Sequence, residues 1–177
     1  MNSFSIRTAT LADELKILTL YKTVAKISGG IARIESEITE SYIKNNLEKS
    51  LKTGICLVIP HPENAEELIA EIHCSKLEPQ IFKHTFSDLT IAVHPDFQSK
   101  GIGKNIFTYL LHYIENTQHD ILRVELIARE SNQKAIEFYQ KIGFKIEGRF
   151  ENRISNPDGT FEADIPMAWM NKNFKIK

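Results

Sequence analysis

Apolar positions fall at two spacings along this chain, and the switches between them mark out its elements. "FSIRTA" alternates and reads as a short first strand. Leu11 to Lys26 then carries Leu15, Leu18, Val24 and Ala25 at roughly helical spacing, with Thr10 as N-cap and Asp13 and Glu14 in the first turn, where the helix dipole favours anions. Ser28 to Gly30 ends that helix. A second helix is predicted from Ser36 or Thr39 to Leu51, closing at Gly54. Three strands follow: "ICLVI" before Pro60, "LIAEIHC", and "FSDLTIAV" before His94. Helices and strands arriving in blocks predict antiparallel pairing here.

Lys104 to Asn116 places Ile106, Phe107, Leu110, Leu111, Tyr113 and Ile114 on one wide face and is read as a helix. "RVELIA" is a strand, Asn132 to Ile142 a helix stopped by Gly143, "FKIEGRF" a strand, "SNPDGT" a turn and "EADIPMAWM" the last strand. Strand, helix, strand, helix, strand is a βαβ order that requires at least one parallel pair. The expected fold class is α/β (α+β): a mixed, mostly antiparallel central sheet of about six to seven strands flanked by about four helices. No repeat, low-complexity tract or linker divides the sequence, so residues 1–177 are read as one domain.

Charge then narrows the function classes. Lys and Arg number 22 against 23 for Asp and Glu, a net charge of −1 without blocks of one sign, which argues against a nucleic-acid surface or a polybasic membrane anchor. The amino terminus lacks a basic stretch followed by an apolar core, and no apolar run approaches membrane-spanning length, so a cytoplasmic protein is expected. Cys56 and Cys74 sit in apolar strands without CxxC spacing and read as buried reduced thiols; the histidines show no HExxH spacing, and no metal is expected.

The chemistry-bearing stretch is "FQSKGIGKN", Phe97 to Asn105, two glycines one residue apart at the start of a helix. A P-loop would need glycine where Gln98 stands and Ser or Thr where Asn105 stands; a dinucleotide fingerprint would need glycine at Ile106. What survives is a strand, an irregular loop and a helix start, a seat for a pyrophosphate on backbone N–H groups with Lys100 and Lys104 nearby. The alternative is a surface turn whose glycines only supply positive φ.

"IAVHPDFQSKGIGKNIFTYLLHYI" resembles the acyl-CoA motif of the GNAT N-acetyltransferase superfamily, and some thirty residues on "NQKAIEFYQKIGFKIEG" resembles that family's second motif, so the chain is identified as a member from Phe4 to Trp169. The resemblance implies the GNAT fold with a splayed parallel pair, and acetyl-CoA (coenzyme A) as acyl donor. It implies that the backbone of Ile91, Ala92 and Val93 meets the pantetheine arm and that the amides of Gln98, Ser99, Lys100, Gly101, Ile102, Gly103 and Lys104 seat the pyrophosphate. Asn132 and Ala135 then contact the cofactor, Asn132 being equally a helix N-cap, and Tyr139 is the general acid for the departing thiolate.

The amine must lose a proton before it attacks the thioester, so a base is needed. Candidates are Asp88, near the place where many relatives carry Glu, and Glu71 on the preceding strand, with His73 on the same face as a third. Relatives acting on ribosomal-protein amino termini often carry Glu five residues before the motif asparagine; here that residue is Ile127. For the acceptor, Arg33 is a candidate carboxylate clamp and Glu37 and Asp164 candidate ammonium partners. The expected function is N-acetylation of a primary amine of a small molecule or amino acid in a ternary complex; the alternatives are a protein or peptide N-acetyltransferase and a catalytically idle acyl-CoA sensor. A homodimer is expected by analogy alone.

Overall fold

The computed structural model of the protein describes residues 4–27, 31, 33–156 and 158–176. In chain order its elements are β1 (Arg7–Thr8), α1 (Glu14–Ala25), α2 (Glu40–Thr53), β2 (Gly54–Pro60), β3 (Leu68–Lys76), β4 (Thr85–Val93), α3 (Ile102–Thr117), β5 (Arg123–Arg129), α4 (Gln133–Lys141), β6 (Lys145–Ile146), β7 (Phe150–Ser155) and β8 (Phe161–Met170). Strands hydrogen-bond in the order β1-β2-β3-β4-β5-β8-β6, with β7 also on β8. Two compact units emerge from the contacts: Met1–Lys76 with Leu89–Tyr113, and Leu77–Asp88 with Ile114–Lys177. No helix among the described residues is long and apolar enough to cross a membrane.

In the first unit β1 and β3 both pair antiparallel with β2. The β2–β3 register sets Cys56 opposite His73 and Val58 opposite Glu71. α1 and α2 pack on these strands, and the core they close contains Ile17, Leu20, Tyr21, Val24, Ile43, Leu47, Cys56 and Val58. The expected apolar stripe of α1 is rotated: Leu15 is 66% exposed, and Ile17, Leu18, Leu20, Tyr21 and Val24 are buried. The first strand is also shorter than expected, because Thr10 already turns the chain, its N–H and Oγ1 both donating to Asp13 Oδ2 at 2.8 and 3.2 Å. α2 starts at the later of the two expected caps, with Thr39 Oγ1 accepting from Tyr42 N at 3.1 Å, and it closes at Gly54. The predicted stop at Ser28 to Gly30 lies outside the described residues.

The second unit holds the expected parallel pair, β4 with β5, recorded at Thr85↔Arg123 and Phe86↔Val124. β5 pairs antiparallel with β8 along its whole length, Arg123↔Met170 to Arg129↔Asp164. "FKIEGRF" is two elements and not one strand: β6 and β7 share the ten-residue β8, and β7 is itself bulged between Phe150 and Ile154, where Asn152 has φ 52. This split raises the strand number to eight. In the final turn Asn156 N donates to Thr160 O at 2.8 Å and Gly159 adopts φ 84; Pro157 lies outside the described residues.

Gly54 is the tightest glycine. A Cβ there would lie 2.0 Å from the Cys74 carbonyl oxygen and 2.6 Å from Ser75 Cα, both backbone atoms that cannot step aside. Gly54→Ala should cost about 3 kcal/mol in equilibrium urea unfolding. Gly159→Ala, left-handed but with nothing within 4 Å of the added carbon, should cost about 1–2 kcal/mol; equal losses would contradict the close approach at Gly54.

Candidate active site

The parallel ladder stops at Phe86↔Val124, two residues before Asp88, whose φ of 55 bends the strand. A non-glycine residue in left-handed conformation inside a strand interrupts regular pairing there. Asp88 itself is exposed. Further along β4, Ala92 is buried and Ile91 and Val93 half-buried, and the Val93 carbonyl already accepts Gln98 Nε2 at 3.0 Å. Gln98 is therefore a clasp on the strand end.

After the turn Pro95–Phe97, Ser99 (φ 60) and Gly101 (φ 79) reverse the backbone into α3. Gly101 thus needs its glycine for conformation. Gly103 does not, and an added Cβ there would sit 3.5 Å from Val93 Cγ2, ordinary contact. The first helical bond runs from Asn105 N to Gly101 O at 2.9 Å, so the amides of Gly101 to Lys104 precede it and have no intrahelical acceptor. A Cβ on Gly101 would meet nothing within 4 Å, so access to those donors is unobstructed on that side. Positive helix end, bare amides and exposed Lys104 suit a diphosphate. Lys100 is used differently, its Nζ standing 5.0 Å from the Phe97 ring centroid.

In the second unit Asn132 caps α4, its Oδ1 accepting from Ala135 N at 3.2 Å. Half-buried Tyr139 lies between Phe138 and Phe144, ring centroids 5.6 and 5.9 Å away, and burial pushes its phenol up to about 12. It is protonated throughout the neutral range.

The first unit encloses a polar cluster. Glu71, 1% exposed, accepts Tyr21 Oη at 2.6 Å on Oε2 and Cys56 Sγ at 3.1 Å on Oε1, and Oε1 is 2.9 Å from His73 Nδ1. Tyr21 is completely buried, and burial with the Glu71 charge drives its phenol well above the usual tyrosine range. Of the two sequence-read carboxylates, then, Asp88 reaches solvent and Glu71 has both oxygens engaged inside the core. Sequence reading missed Tyr21, which occupies an apolar helix face; its only signal is a hydroxyl on that face across from a strand carrying Glu and His.

Arg33 is exposed, with its guanidinium carbon 4.4 Å from the Tyr42 ring centroid. Tyr42 in turn lies 6.5 Å from the Tyr21 ring. Glu37 folds back to accept Ile34 N at 3.1 Å, bracing the short turn before α2. Asp164, in the second unit, is paired with Arg153 Nε at 3.5 Å, and burial outweighs that cation to raise its carboxyl.

A sequence model described as the acetyltransferase (GNAT) family matches residues 26–144, two thirds of the chain, and the protein belongs to that family. Locally it is 31% identical over 65 residues to a spermidine N(1)-acetyltransferase of Escherichia coli K12, covering 37% of this chain and 34% of the relative. It is 32% identical over 75 residues to the [ribosomal protein bS18]-alanine N-acetyltransferase of the same organism, 42% and 49% of the two chains. The matched stretch thus spans a half or less of these curated relatives. Among solved structures, a GNAT superfamily phosphinothricin acetyltransferase from Sinorhizobium meliloti in complex with AcCoA superposes with TM-score 0.82 at 16% identity, over 97% of this chain and 90% of that one.

Both cysteines are free and buried, and burial with the Glu71 charge raises both thiols. The thiolate fraction at neutral pH is therefore very small. Native protein should release no chromophore from a disulfide dye over minutes, and two thiols should titrate once urea unfolds the chain; a fast-reacting native thiol would contradict this packing.

Proposed function

We propose that this chain is an acetyl-CoA-dependent N-acetyltransferase acting on the primary amine of a small molecule or amino acid by direct attack in a ternary complex. The start of α3 carries the reading: bare amides ahead of the first helical bond, entered over left-handed Gly101. Acetyl-CoA supplies an activated acyl thioester. The amides from Gln98 to Lys104 hold its diphosphate, and the backbone of Ile91, Ala92 and Val93 serves the pantetheine arm, the Val93 carbonyl also accepting Gln98 Nε2. Asn132 and Ala135 are assigned to the same substrate on the motif they form with Tyr139.

Tyr139 faces the leaving sulfur in this reading. A free thiol, near 8.5, is a stronger acid than a phenol at about 12, so Tyr139 stabilises the sulfur by donating a hydrogen bond and does not finish the reaction ionised. Of the two carboxylates among the three base candidates, Asp88 is open to solvent, while Glu71 is reached only through the groups bonded to it. Arg33, Glu37 and Asp164 are read as acceptor contacts. We read the whole chain as one catalytic domain working in the cytoplasm.

A protein acceptor is the second reading, favoured by the local similarity to the ribosomal-protein alanine acetyltransferase; Ile127, exposed where such relatives carry Glu, speaks against it. Release of CoA from acetyl-CoA, followed across polyamines, amino acids, aminoglycosides and short peptides, separates the cases. A small amine should turn over, and Tyr139→Phe should lower kcat by about 100-fold or more with the acetyl-CoA KM little changed. Turnover of peptides alone would favour the protein reading, and tight acetyl-CoA binding without turnover would leave an idle sensor.

A further inference from the structure

We infer that His73 is the group that takes the proton from the incoming amine, its ring held and its lone pair aimed by Glu71. The inference rests on the N-acetyltransferase reading above and names a residue of its acceptor side.

The proton inventory of the buried cluster fixes the imidazole. Tyr21 has one hydroxyl proton, and the 2.6 Å contact gives it to Glu71 Oε2. Cys56 gives its thiol proton to Oε1 at 3.1 Å. A carboxylate accepting these has none to give, so the 2.9 Å contact between Oε1 and His73 Nδ1 needs the hydrogen on Nδ1. The Tyr21 oxygen, 3.4 Å from the same nitrogen, can only accept from it. Neutral His73 is then the Nδ1–H tautomer, and its free lone pair is on Nε2.

Access supports the same atom. Tyr21 is 0% exposed, Cys56 and Glu71 each 1%, and His73 6%. His73 keeps the most surface of the four, and Nε2 has no hydrogen-bond partner among the described residues. A carboxylate on Nδ1 with Nε2 left unpartnered is the arrangement that holds an imidazole as a base and then stabilises the imidazolium. The titratable groups facing the ring are Glu71 on β3, Tyr21 from α1 and Cys56 from β2, with Tyr42 of α2 behind Tyr21. Glu71, Tyr21 and Cys56 are positioning residues.

The step balances without another reagent. The alkylammonium gives one proton to Nε2, and its nitrogen bonds the acetyl carbon as the carbon–sulfur bond breaks. The second nitrogen proton ends on the departing sulfur, and His73 returns the first to solvent, leaving amide, thiol and one proton.

The test uses the full chain, acetyl-CoA and the best acceptor from the panel. His73→Gln should lower kcat/KM about 100-fold or more, abolish the acidic limb of its pH profile and leave the acetyl-CoA Kd within twofold. Glu71→Gln should lower kcat/KM less than His73→Gln does and leave the acidic limb present, since the ring loses its anchor on Nδ1 but keeps Nε2. Near-unchanged kcat/KM and an intact limb in His73→Gln would overturn the inference, as would a limb lost only in Asp88→Asn. Imidazole-nitrogen NMR of the wild type covers variants that fail to fold: protonated Nδ1 and bare Nε2 are expected, and the opposite tautomer overturns the assignment. A wild type that turns over no amine would instead fail the acetyltransferase reading, and this inference with it.

Discussion

One carboxylate organises the first unit. Glu71 lies in the core between β2 and α1, and a buried acceptor of this kind costs several kcal/mol unless donors surround it. Three arrive from three places: Tyr21 from α1, Cys56 from β2 and His73 from its own strand. Each donor constrains an element. The phenol fixes the rotation of α1 and so decides that Ile17, Leu20 and Val24 face inward while Leu15 does not. The thiol is delivered by a register that sets Cys56 opposite His73, and Gly54 permits the close approach at that strand's start. An all-apolar core would be as compact without specifying these positions as sharply.

The loop into α3 works by the opposite principle, since its useful groups are backbone amides with no side chain over them. What makes them available is conformation: left-handed Ser99 and Gly101, the clasp of Gln98 on Val93, and the bend at Asp88 where the parallel ladder ends. The polar groups around Glu71 are satisfied inwardly, while those at the helix start have no partner within the helix.

Much of this was legible in the sequence. Thr39 and Asn132 are caps because their side-chain oxygens reach the next turn, a local interaction that sequence spacing encodes. The order β4, α3, β5 announced a parallel pair for the same reason: a helix between strands carries the chain back. What was not legible depends on distant partners. Spacing alone gave α1 a stripe through Leu15, because nothing local says where Glu71 will lie. "FKIEGRF" reads as one strand until β8, ten residues long, accommodates both β6 and β7. Asp88 in a left-handed conformation has no local signal, and Tyr21 hides among apolar neighbours. The motif residues were readable as a set, but Gln98 holding Val93 and Lys100 lying against Phe97 required side-chain geometry.

The residues proposed as acceptor contacts differ from the buried cluster in how firmly they are held. Arg33 rests on the face of Tyr42, an exposed cation–π contact worth about 0.5–1 kcal/mol. Asp164 pairs with an Arg153 that is half exposed, an interaction of about 0–1 kcal/mol. Contacts of this strength exchange partners at little cost. Removing a donor from Glu71 leaves a buried acceptor unmatched, at about 1–3 kcal/mol or more. Within the first unit a firmly bonded interior around Glu71 thus contrasts with a weakly held cation at Arg33. Tyr42 joins the two, with Arg33 on one side and the Tyr21 ring on the other.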